Sequence, residues 1–252
     1  MAAGAAGADE RRTPLPAYWL RSLAYHLVPP KPLRHPGPIG RPVLVVGSAP
    51  VSNRPAGFGP HFMVFSINGS QSVAAGWGAE VPDVTFLQFN QVEGTNPNAV
   101  AVRRVLAGKR TRRLCVIRWK QGRERLMRGL KAFDYEAGEV VIATRRSRMA
   151  LFHRVMGRAN LERDNAQKYS NGVTAVFYAF EAGAPAVVVS GIDPSSSGHV
   201  YNDLGLRRLH AWSDLAILLE LSQRGLPLYT ADPHVAENTG LPLWTGRSQE
   251  TS

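Results

Sequence analysis

"PVLVVGSAPVSN", residues 42–53, decides how the rest of the chain is read. Val43 to Val46 are mostly β-branched, which suits a strand covered on both faces. Gly47, Ser48 and Ala49 then remove side-chain bulk, and Pro50 blocks continuation of the strand. Two readings of this turn stand side by side. It is a compact bend and nothing more, or it is a bare corner where backbone N–H groups meet a phosphate or nucleotide.

From residue 43 onward, short apolar runs alternate with helical patterns. The patterns predict strands over 43–47, 62–66, 84–89, 114–118, 139–143, 186–190 and 227–230. Helices are expected over 97–107, 121–131, 145–157, 172–182 and 211–224. This order implies an α/β fold, a Rossmann-like and mostly parallel sheet with helices on both faces. Ligands of such sheets sit beyond the carboxyl ends of the strands, where the opening turn lies. Residues 42–252 read as one domain with a small polar lid over about 194–210. Residues 1–41 read as an N-terminal segment. It is disordered over 1–13, amphipathic and helical over 15–30, and then a Pro/Gly/basic linker. Tyr18, Trp19, Leu23 and Leu27 of that helix pack on the domain or lie on a membrane interface, with Arg21 at the polar edge.

The 252 residues are 44% apolar, enough for a sizeable core. Cys115, the sole cysteine, sits in "LCVIR" as a buried thiol with no intrachain partner, which favours a reducing compartment. No apolar run reaches the roughly 18 residues of a spanning helix, and the first residues lack a signal-peptide layout. The expected location is cytoplasmic, with peripheral attachment to the membrane face and homo-oligomerisation left open. The formal charge of +11 is concentrated between Arg103 and Lys131, where Glu124 is the sole acid. Such a field draws an anionic partner or is merely solvated. No C-x-x-C pair with histidines and no aromatic RNP stretch is present, so no nucleic acid is expected.

Other segments carry candidate chemistry. "FMVFSINGS" (62–70) and "VTFLQFNQ" (84–91) place Asn68 and Asn90 at matching strand ends, as turn residues or as ligand contacts. In "KYSNGV" (168–173), Ser170 or Asn171 caps a helix, and Gly172 lets an anion approach its first turn. "VVVSGID" (187–193) ends in Gly191, Ile192 and Asp193. Asp193 closes an Asx turn or binds a ribose hydroxyl or base amine. The lid that follows holds His199 and Tyr201, and His210 stands at the entrance of the helix predicted over 211–224, one turn before Asp214.

With these residues in order, the chain resembles the bacterial sialyltransferases of glycosyltransferase family 42 over about residues 43–235. The resemblance rests on "VVGSAP", "VFSING", "LQFN", "YSNGV", "VVVSGID", a Tyr-bearing loop, a His before a helix, and "PLYTADP". It implies a modified nucleotide-binding fold and inverting transfer of sialic acid from CMP-sialic acid to a sugar hydroxyl. By the same resemblance Gly47 and Ser48 lie against the donor phosphate and ribose, and Asn68 and Asn90 hold the donor. Ser170, Asn171 and Gly172 approach it from the helix start, and Gly191, Ile192 and Asp193 frame the cytidine. Tyr201 donates to the departing phosphate, and His210 is the general base. The chain departs from the family at Ala49 and Val51, in having Ser195 near the place of a second lid tyrosine, and in its shorter lid.

The chemistry asks for donors to the leaving phosphate and a base near neutrality. With no D-x-D pair in the chain, no cofactor and no obligatory metal are expected beyond the CMP-sugar donor. The acceptor is expected to be a glycan, and the basic stretch suits a lipid-linked oligosaccharide. The alternatives are a pterin pyrophosphokinase-like enzyme, which would need carboxylates for Mg²⁺, and a non-catalytic module binding nucleotides or anionic glycans.

Overall fold

A computed structural model of the chain describes residues 14–164, 167–196, 198–201 and 210–246. It contains one seven-stranded sheet, β1 (Val43–Val46), β2 (Met63–Ile67), β3 (Val84–Gln88), β4 (Arg110–Ile117), β5 (Glu136–Ala143), β6 (Val187–Ser190) and β7 (Leu228–Thr230). The order is β5-β4-β3-β2-β1-β6-β7, and every pairing is parallel. Strand order therefore reverses at β1, which lies between β2 and β6, and this is where an open α/β sheet makes its crevice.

The period of two explains the layers. Val43, Val45, Phe65, Phe86 and Cys115 join the core formed with α6 (Arg145–Met156), α7 (Asn171–Glu181) and α8 (Ala211–Gln223). Leu44, Val46 and Val64 turn the other way, beneath Ala74 of α2 (Gln71–Gly76). Leu87, Leu114 and Val116 meet α4 (Pro97–Leu106) and α5 (Arg123–Ala132) on that second face. All four residues of β1 are fully buried.

Two strands begin earlier than their apolar runs predict. The burial of Arg110 to Arg113 alternates, so polar residues carry the outer end of β4, with Arg113 paired to Glu139 of β5. The short helices α2, α3 (Phe89–Glu93) and α9 (Pro233–Thr239) were not expected, because one or two turns carry no readable periodicity. Asn90 is thereby corrected: it lies in α3, just after β3, where the chain has left the pleat.

Helix α1 (Leu15–Leu27) packs on α6 through Tyr25, which is buried with Met149 and Leu161. The Pro/Gly/basic stretch after it inserts Leu33 and Ile39 into the main core. Their N–H groups donate to the carbonyls of Ser147 (3.3 Å) and Ala182 (2.7 Å). Among the described residues no helix is long and apolar enough to cross a membrane. The disorder expected for 1–13, and most of the lid at 197 and 202–209, fall outside the described residues.

Candidate active site

The strand ends around β1 enclose a cavity of about 540 Å³. Gly47 and Ser48 follow β1, Ile67 ends β2 and Asn68 follows it, Gln88 ends β3 with Asn90 and Gln91 in α3 beyond it, Arg118 follows β4, and Gly191 and Ile192 follow β6. Ser170, Asn171 and Gly172 bring the start of α7, and His210 the start of α8. Ten of the expected residues thus share one wall, while Asp193 and Tyr201 do not line it.

The glycine of the opening turn approaches another piece of backbone. The Gly47 N–H donates to the Ser190 carbonyl (2.7 Å) and the Ala49 N–H to that of Gly191 (2.8 Å). A Cβ on Gly47 would collide with the Gly191 carbonyl, and Gly191 itself has φ +64°. The bareness of the two corners lets β1 and β6 interlock. Asp232, fully buried after β7, fastens them, accepting from the N–H groups of Gly191 (2.7 Å) and Asn53 (2.7 Å) and from Asn53 Nδ2 (2.9 Å). Burial raises its pKa against the pull of those hydrogen bonds.

Several expected residues hold local structure as well as lining the cavity. Asn68, at φ +52°, accepts from the Gln88 N–H (3.3 Å) and so ties the ends of β2 and β3. Ser170 caps α7 by accepting from the Val173 N–H (3.2 Å), and its own N–H donates to Asp214 Oδ1 (2.9 Å). Ser48 Oγ shares a hydrogen bond with His199 Nδ1 (2.9 Å), and the His199 ring stacks on Tyr201 at 5.2 Å. Tyr201 is packed with Leu87 and Val92 and presses on Gly69, where a Cβ would lie 2.6 Å from its ring. Asp193 closes an Asx turn, accepting from the Ser195 N–H (2.8 Å) and Oγ (2.6 Å) and meeting His234 Nε2 at 3.2 Å. Burial works to raise the Asp193 pKa, but the Ser195 bonds and His234 bring it below the ordinary carboxylate value.

Three buried polar atoms at the cavity have no protein partner among the described residues: Asn90 Oδ1, Gln91 Oε1 and His210 Nδ1. A buried polar atom left unpaired costs about 1–3 kcal/mol, so the three together concentrate unmet hydrogen-bonding capacity on one cavity. Burial first, then the charges of Arg148 and Lys168, hold the His210 pKa below 6.5, with Glu162 opposing. The shift favours the neutral imidazole, the form able to accept a proton.

The charged wall was missed in the sequence. Arg118, Arg148, Lys168, Glu162 and Asp214 all line the cavity. Glu162 is buried under Arg145 (2.8 Å) and Arg148 (3.8 Å). Of the four described non-glycine residues with left-handed φ, Asn68, Arg118 and Glu162 line this cavity, and such backbone clusters at functional sites. Gln91 was visible beside Asn90 in "LQFNQ". The arginines were hidden in a generally basic chain, where no spacing separates a cavity arginine from a surface one.

The fold is shared with solved glycosyl-transferring enzymes. The chain is similar to the monofunctional α-2,3-sialyltransferase Cst-I of Campylobacter jejuni, at 13% identity and a TM-score of 0.53, with 87% of each chain covered. It is also similar to a variant of the sialyltransferase Cst-II in complex with CMP, at 12% identity and a TM-score of 0.50, covering 84% of this chain and 90% of that one. No family model matches the chain, and no curated protein matches it.

Proposed function

We propose that this chain is an inverting glycosyltransferase that moves sialic acid from CMP-sialic acid to a hydroxyl of a glycan acceptor. The observation that carries the reading is the meeting of three buried, unpartnered polar atoms at the switch point of a fold shared with a CMP-bound sialyltransferase. In this reading Gly191 and Ile192 frame the cytidine from the cavity wall, with Asp193 behind them in its Asx turn, and Gly47 and Ser48 lie beside ribose and phosphate. Asn68 and Asn90 hold the donor. The donor phosphate meets the first turn of α7 at Ser170, Asn171 and Gly172, where N–H groups and the helix dipole favour an anion. Lys168 and Arg148 add positive potential as CMP departs.

His210 takes the proton of the acceptor hydroxyl while that oxygen bonds to the anomeric carbon. The electrons of the breaking bond leave with the CMP phosphate. The lowered imidazole pKa supports this role, because a base must be unprotonated at working pH. Tyr201 enters the reading through the lid: its phenol reaches the phosphate if the segment bearing it and His199 turns toward the cavity. We hold the reaction to be metal-independent. Neither a pterin pyrophosphokinase nor a non-catalytic module is favoured.

The test is turnover of a panel of nucleotide sugars by the purified chain, with and without EDTA. Hydrolysis or transfer of CMP-sialic acid alone, undiminished by EDTA, is expected. Preference for a nucleoside-diphosphate sugar, or loss of turnover in EDTA, would overturn the assignment.

A further inference from the structure

We propose that the outer face of α1 is a docking surface for an anionic lipid bilayer. The inner face of this helix is fixed to the domain. Arg21 donates to the carbonyls of Leu161 (2.7 Å) and Glu162 (3.1 Å), Tyr25 Oη bonds His153 Nδ1 (3.0 Å), and Arg146 donates to the Ala24 carbonyl (3.0 Å). The outer face is bare. Leu15, Trp19, Leu20, Leu23 and Leu27 are each 55–70% exposed, and at helical spacing they cover an arc of about 140° that also holds Pro16 and His26 but no Lys, Arg, Asp or Glu. The other large exposed apolar residues are scattered through the chain, apart from Val28 at the end of this same helix. A contiguous stripe of this kind calls for a cover.

Its surroundings select the cover. Residues 14–42 contain Arg21, Lys31, Arg34 and Arg41 and no Asp or Glu. Arg163 lies over the Tyr18 ring (5.4 Å) toward one end of the helix, and exposed Arg146 and Lys31 stand at the other. An apolar stripe with a tryptophan, flanked by cations, matches the acyl–headgroup boundary of an anionic leaflet. A second copy seated on the same face would set these cations against their own kind. Thirteen residues are too short to cross a bilayer, so the helix lies in the interface plane. Arg21 ties the inner face of the helix to the backbone of Glu162, a cavity residue, so the docking helix and the cavity wall are joined directly. The surface itself lies outside the cavity and does not depend on the donor assignment.

The test is flotation of the full chain with phosphatidylcholine vesicles, with and without phosphatidylglycerol. Binding to the anionic vesicles is expected, weakened on the order of tenfold or more by Leu23→Glu with Leu27→Glu, and about fivefold by Lys31→Gln. Circular dichroism and melting establish that each variant is folded. Should the paired glutamates undock the helix, Trp19→Ser, a neutral change on the bare face, is still expected to weaken binding. The proposal is overturned if the wild-type chain ignores anionic vesicles. It is equally overturned if folded variants of the apolar face bind like wild type, or if sedimentation shows a dimer that those variants dissolve while vesicles are not bound.

Discussion

The two sides of the cavity are built on opposite terms. At the β1 and β6 corners the polar groups answer one another: Asp232 gathers Gly191 and Asn53, and Asp193 gathers Ser195 and His234. At α3 and the start of α8, Asn90, Gln91 and His210 hold buried polar atoms with nothing in the described protein to meet them. The corner side has the small-residue motifs that most resemble a ligand cradle, yet its bareness serves the packing of backbone on backbone. The helix side is ordinary in sequence and bears the unmet hydrogen-bonding capacity. Substitutions at the corners should therefore register mainly in stability, and those on the helix side mainly in function.

The largest effect is expected at His210. His210→Ala should lower kcat/KM by about 10²–10⁴-fold while CMP binding, read by calorimetry, and the melting temperature stay near wild type. Turnover within a few-fold of wild type would remove the imidazole from the reaction and break the contrast. The pH profile sharpens it. Because burial and the charges of Arg148, Lys168 and Arg118 lower the folded pKa, the acid limb of kcat/KM should fall below 6.5. The unfolded chain then binds the extra proton first, so this residue's contribution to stability is complete above about pH 6.5 and is lost as pH falls toward the folded value. An acid limb above 6.5 would contradict the lowered pKa.

Asp232→Ala is the counterpart on the closed side. It strands the N–H groups of Gly191 and Asn53 in a fully buried place, and should destabilise the fold by about 3 kcal/mol or more by denaturant midpoint. A loss below about 1 kcal/mol would mean that the corners hold without their fastener. Gly47→Ala forces a Cβ onto the Gly191 carbonyl and should cost about 2 kcal/mol by the same measurement. If it instead left stability intact and weakened CMP binding, the corner would serve the donor and not the packing of β1 on β6.

The sequence carried the fold well because the sheet is buried on both faces. Continuous Val/Leu/Ala runs between helical patterns have few other destinations, and the predicted strands and long helices overlap those observed. It carried the composition of the site less evenly. Gly47, Asn68, Ser170 and Gly191 stood out as turn and cap residues, and turning is much of what they do. Gln91, Arg118, Arg148 and Glu162 acquire meaning only from the three-dimensional wall. A glutamine in a five-residue helix and arginines in a basic chain leave no periodic trace, and the left-handed backbone at Arg118 and Glu162 has no glycine to announce it.

Gln91 offers the finest test of the contrast, because the two properties should move in opposite directions. Its side chain is 4% exposed and its Oε1 is unmet, so on its own the amide is a burden that leucine, similar in volume, would relieve. Gln91→Leu should leave stability unchanged or raise it by up to about 1 kcal/mol. The same change deletes a group that a polar donor would satisfy, so affinity for the CMP-sugar should fall by about tenfold, the equivalent of one hydrogen bond. A variant that lost stability and kept its affinity would show that Gln91 belongs with the closed corners, and the division between the two sides of the cavity would have to be drawn elsewhere.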